Sequence, residues 1–190
     1  MKRIISLINL LAFATVLYGQ EKMSYQLNGK NVEFTISQER MYLEYAANQK
    51  SAVQKMSTTG LQELTNNAAI IKVSEPKGTF QRRKQSLQSK ISFDLQRIEP
   101  VLIYKDGTEQ IAAGELNIKL KPKPNASIED IEELLKGKSY TSQRNAFDKH
   151  LYLVTLNLAT TELFNLVNQL QKESRLEFAE PNFIRINILH

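Results

Sequence analysis

Side-chain catalysis needs a nucleophile, a base or a metal ligand held close together, and this chain offers few of them. It has two histidines, His150 and His190, and no cysteine. A Ser-His-Asp arrangement needs a histidine oriented by a carboxylate and touching a nucleophile. His190 is the final residue, and His150 opens an apolar segment beside Lys149. Two distant histidines without cysteine do not make a zinc spacing. The carboxylates Glu129, Asp130, Glu132 and Glu133 are spread around one helical segment, near its N-terminus, where negative charge is favourable. The seven glycines are scattered and form no phosphate loop. These residues point to a protein without enzyme activity, cofactor or metal.

The elements that would position such groups are clearest after Gly114. Leu116, Ile118 and Leu120 alternate with Asn117, Lys119 and Lys121, the pattern of a half-buried strand that Pro122 ends. Ser127 and Asp130 form a capping-box pattern ahead of the stripe Ile128, Ile131, Leu134 and Leu135, and Gly137 stops that helix. A hairpin follows, from Ser139–Arg144 through a turn to the apolar strand Leu151–Leu158. Thr160 or Thr161 caps a second helix with its stripe at Leu163, Leu166, Val167 and Leu170. Leu176 begins the last strand, where Pro181 belongs at an edge or a bulge. The fold class is α+β. Residues 113–190 form a ferredoxin-like βαββαβ domain, an antiparallel sheet with two helices on one face, and a C-terminal tail.

Residues 20–112 form a smaller α+β lobe. It has strands over Met41–Tyr45, Ala68–Val73 and Ile98–Tyr104, a helix over Thr79–Lys90, and an Asp106-Gly107 hairpin signal. Leu95-Gln-Arg-Ile-Glu-Pro-Val-Leu-Ile103 lies 81 residues before Leu176-Glu-Phe-Ala-Glu-Pro-Asn-Phe-Ile184, with Leu, Glu, Pro and Ile matched. Two readings stand: the lobe is a pseudo-repeat of the C-terminal domain, or an unrelated lobe that shares Glu-Pro with it.

Hydrophobic residues make up 42% and charged residues 24%, as in a folded globular chain. Residues 1–19, with Lys2 and Arg3 ahead of an apolar run and Gly19 before Gln20, read as a secretory signal peptide. The alternative is an uncleaved anchor, but the run is short for a span of about 20 residues. A secreted protein, extracellular or periplasmic, is expected, with no membrane attachment after cleavage. Without Lys2 and Arg3 the 25 basic and 20 acidic residues leave a charge of +3. Arg82-Arg83-Lys84 is the one basic run and reads as a solvated helix face, so no nucleic-acid partner is expected.

The segment Leu176-Glu-Phe-Ala-Glu180-Pro181-Asn-Phe-Ile184 resembles the closing strand of the propeptide domain of subtilisin-like serine proteases. Gly114-Glu-Leu-Asn-Ile-Lys-Leu-Lys-Pro122 resembles the opening strand of fervidolysin-type prodomains, and the Ser127 helix start follows in the same order. The similarity covers Gly114 to Ile184. The nucleophile and histidine segments of the protease itself do not occur in this chain. The resemblance implies a module that binds a subtilisin-like serine protease in trans, as inhibitor or folding chaperone. It places Glu180 at the position whose carboxylate meets helix N-termini of the enzyme. It sends the tail through the substrate cleft, with Ile186 and Leu189, or Ile188 in place of Leu189, in the main pockets. The alternative is an extracellular or envelope interaction domain that kept the fold and binds another protein or peptide.

Overall fold

Among the described residues, backbone alternation is realised as one nine-stranded, antiparallel sheet with four α-helices. The computed structural model describes residues 20–56, 60–73, 78–123 and 127–186. The expected signal peptide, residues 1–19, lies outside them, as do Ile188 and Leu189.

A hairpin that the sequence reading did not assign opens the fold. β1 (Lys22–Leu27) turns at Asn28-Gly29 into the long β2 (Lys30–Tyr45). Both turn residues have positive φ, as a two-residue hairpin requires. Met23, Tyr25 and Leu27 before the turn, and Val32, Phe34 and Ile36 after it, carry the period-two signal. Next come α1 (Lys50–Met56), β3 (Gln62–Thr65), β4 (Ala68–Lys72), α2 (Phe80–Lys90) and β5 (Leu95–Ile103). β6 (Glu109–Leu120) then leads into α3 (Glu132–Leu135), β7 (Tyr140–Arg144), β8 (Leu151–Leu156), α4 (Thr160–Leu170) and β9 (Leu176–Arg185).

From β2 to β5 the sheet order is β3-β4-β2-β5, and from β6 to β9 it is β7-β8-β6-β9. Each half therefore places its first strand between its third and its fourth, with all neighbours antiparallel. The registers are closely similar. Pro100 pairs with Met41 and Leu102 with Ile36, across an irregularity in β2. Pro181 pairs with Leu116 and Phe183 with Ala112, across an irregularity in β6 that is one residue shorter than that in β2. The boundary drawn at 112/113 falls inside β6, whose Glu109 and Gln110 pair with β5; β6 pairs with β9 from Gln110 onward and with β8 over Glu115–Lys119.

One core runs along the inner face of both halves, through Met41, Leu43, Leu116, Ile118, Val154, Leu163, Leu166 and Val167. Phe34, Phe164, Phe183 and Tyr25 meet in it with ring centroids 5.1–6.4 Å apart, in the range for favourable ring packing. The helix expected after Ser127 is shorter than its stripe implied. Residues Ile128–Ile131 are a 3-10 turn, and Ser127 N–H donates to Asp130 Oδ2 at 2.9 Å as the capping pattern required. Thr160 is not an N-cap: Ala159 holds that position and Thr160 is the first helical residue.

The basic run on α2 departs from a solvated face. Arg83 is buried, and its Nη1 donates to Ser37 O at 2.8 Å and Gln38 O at 3.0 Å. Lys84 Nζ donates to Ile98 O at 3.2 Å. The stem of a long cation can pack in a core while its head reaches bulge carbonyls, which a run of three basic letters does not reveal.

Candidate binding surface

Residues directly opposite in an antiparallel pair share a face. On the side away from the core, one row of the second half runs Gln143–Leu153–Asn117–Glu180 across β7, β8, β6 and β9. The matching row of the first half runs Gln62–Ile70–Tyr42–Glu99 across β3, β4, β2 and β5. The two rows have the same construction and different surroundings.

The first-half row is covered. Ile70 is 1% exposed and Tyr42 3%, within a small second core with Ala68, Val101, Ile111 and Ile186. The second-half row has no cover of this kind among the described residues. Leu153, Asn117 and Glu180 are half-buried, and so are Leu151 and Phe178 in the next row. Ile184, on the same side, is 38% exposed. Polar groups frame these side chains: Asn182 Nδ2 donates to Glu115 Oε2 at 2.8 Å, and Lys119 Nζ lies 3.2 Å from Asp148 and 3.4 Å from Glu177.

Glu99 and Glu180 are the sharpest contrast. Glu99 Oε2 accepts from the backbone N–H of Thr160 at 2.9 Å and from its hydroxyl at 2.8 Å. The first amide of a helix has no intrahelical acceptor and carries partial positive charge, so a carboxylate suits it. Ala159 cannot supply a side-chain cap, and a glutamate 61 residues away does so instead. Burial raises the Glu99 carboxyl above its ordinary value and outweighs the two Thr160 bonds that lower it.

Glu180 makes no hydrogen bond or ion pair among the described residues. Burial raises its carboxyl as well, with nothing to offset the effect. Its charge is felt by Tyr25, whose hydroxyl is pushed up to about 12, chiefly by burial and then by Glu180.

The expected site residues separate in space. Glu180 stands on β9 at the edge of the open face. Ile186 is not part of a free tail: it is buried at 6% exposure in the small core that covers the first half, and its N–H donates to Glu109 O at 2.9 Å. The alternation Ile184, Ile186, Ile188 fits an edge strand or a tail equally well, and packing against Val101 and Ile111 decides for Ile186. Glu99 was missed as a functional residue, although the repeated Glu-Pro marks it as the partner of Glu180.

Arg97 ties the halves together beside this junction. Its Nη2 donates to Asn157 Oδ1 at 3.2 Å, and its Nε lies 3.5 Å from Glu44. Gly114 lies beneath it with φ +82°, and a Cβ there would come 2.3 Å from Leu156 O and 2.5 Å from Arg97 Nη1. Glycine is needed at 114 for both backbone conformation and space. Among the described residues no three His, Asp or Glu side chains could hold a metal ion together, and no helix is long and apolar enough to cross a membrane.

No protein-family model, curated protein or solved structure matches this chain.

Proposed function

We propose that the protein is a secreted, non-enzymatic binding module that docks on a subtilisin-like serine protease through the outer face of its second half, as inhibitor or folding helper. The strand order β7-β8-β6-β9, with helical segments after β6 and β8, supports the ferredoxin-like plan of subtilase propeptides for this half. The observation that carries the reading is the open row Leu153–Asn117–Glu180. It offers apolar area and a carboxylate without a partner, where the equivalent Glu99 already holds a helix N-terminus. A partly exposed apolar face with one half-buried, unpaired carboxylate has the anatomy of a binding surface. Glu180 would serve the protease as Glu99 serves α4. The tail beyond Ile186, with Ile188 and Leu189, would enter the cleft, and Ile186 would remain in the fold.

The test is titration of purified residues 20–190 against a broad-specificity subtilisin, followed by its refolding with and without the protein. Inhibition or faster refolding is expected, and Leu153→Asp, at the centre of the face, should abolish it. Neither effect at a large molar excess would remove the protease as partner and leave the same face to another extracellular protein or peptide.

A further inference from the structure

Each of the two long helices among the described residues is started by a glutamate from outside it, on or beside a strand that precedes its own half. Glu21, next to β1, accepts from the N–H of Phe80, the first residue of α2, at 2.6 Å across 59 residues. Glu99, on β5, accepts from Thr160, the first residue of α4, across 61 residues. The junction between the halves has a second component. Leu102 and Ile103 of β5 pair on both sides, with Ile36 and Thr35 of their own half and with Gln110 and Glu109 of the next. Their counterparts in β9, Phe183 and Ile184, pair among the described residues on one side only, with Ala112 and Ile111. Glu180 and the outer edge of β9 thus repeat both parts of the junction at Glu99, and no following half occupies them among the described residues.

We infer that Glu180 and the β9 edge form a docking site for a further βαββαβ unit of the same build, carried by another polypeptide. Its first strand would pair with Phe183–Ile184, and its second helix would open on Thr or Ser, giving Glu180 both an amide and a hydroxyl donor as Thr160 gives Glu99. A second intact copy does not fit, because the first amides of its α2 and α4 are already taken by Glu21 and Glu99. This site shares with the protease reading the carboxylate of Glu180 and the side of Ile184, but its test reads helix-start exchange in a fused unit and the inhibition assay does not, so the two fail separately.

The junction can be completed within one chain. Arg185 corresponds to Tyr104 in the 81-residue repeat, so residues 20–185 followed by a second copy of residues 105–190 recreate the passage from β5 to β6. That second copy lacks Glu21 and Glu99, and its only available cap is Glu180. Amide hydrogen exchange should show the added copy folded, with protected amides in the first turn of its second helix. Glu180→Gln should speed exchange there by about 2- to 30-fold, the span of a lost helix cap. The same change in the natural chain should alter exchange in α2 and α4 not at all. An added copy that stays unfolded, or one whose first-turn amides ignore Glu180→Gln, overturns the inference. So does sedimentation of the natural chain as a dimer that Glu180→Gln dissociates, because that would make a second copy the occupant.

Discussion

The outer faces of the two halves share one strand order and differ in what lies on them. Gln62–Ile70–Tyr42–Glu99 is sealed by Val101, Ile111 and Ile186, whereas Gln143–Leu153–Asn117–Glu180 is left half-open. The difference does not lie in strand order, which coincides, or in the pairing around the Glu-Pro step, which is closely similar. It lies in where the chain runs next. β5 leads into β6, which extends the sheet and brings Ile111 over the first half. Nothing among the described residues does the same for the second half. A strand row thus becomes core or surface according to its neighbour, and the same glutamate becomes an internal cap or an unpaired acceptor.

The largest expected effect tests whether the first face is truly core. Ile70→Ala should lower stability by about 2–5 kcal/mol, as for a buried aliphatic truncation. Leu153→Ala, at the matching site, should cost about 1 kcal/mol or less. Chemical denaturation of both variants measures the gap, and equal losses would break the comparison. Ile186→Ala comes next, at about 2 kcal/mol, because its side chain belongs to the first-half seal. A melting temperature unchanged by this substitution would return Ile186 to the tail.

The glutamates follow. Glu99→Ala removes the acceptor of two bonds at the start of α4 and should cost about 1–2 kcal/mol. Glu180→Ala should stay within about 0.5 kcal/mol, since no bond is lost. Thermal melts in parallel would decide, and a larger loss at Glu180 than at Glu99 would reverse the assignment of internal and open junction.

The smallest effect is in pH. Burial raises the carboxyls of Glu99 and Glu180 above the ordinary 4.5. The folded chain therefore holds these protons at pH values where the unfolded chain has released them. Their contribution to stability is fullest below 4.5 and falls as pH rises through the raised folded values. Glu99→Gln and Glu180→Gln should each flatten the stability–pH curve above pH 4.5. Denaturation midpoints taken through that window would show it, and a curve steepened by either change would contradict the burial assigned to that carboxyl.

Much of the fold was legible because its signals are local. Alternation marked the core strands of both halves, and Leu163, Leu166, Val167 and Leu170 marked one face of α4. The Asn28-Gly29 hairpin was equally legible from its turn and its flanking alternation, although it was not assigned. Arg83 was misread because three consecutive basic residues give no sign of which one points inward. Glu180 was found through the resemblance of its strand to subtilase propeptides, and Glu99 was overlooked because its cap belongs to a helix 61 residues away.

From sequence alone, the period-two and helical apolar patterns located most of the core strands and the face of α4, and Leu-x-x-x-Glu-Pro-x-x-Ile occurs in both β5 and β9. Only the tertiary structure decided which of those strands is sealed and which glutamate is already engaged. Residue type specifies that a side chain can be buried or can accept a hydrogen bond. Whether an apolar cover or a donor reaches it depends on distant segments converging, and Val101, Ile111, Ile186 and Thr160 converge on the first face alone.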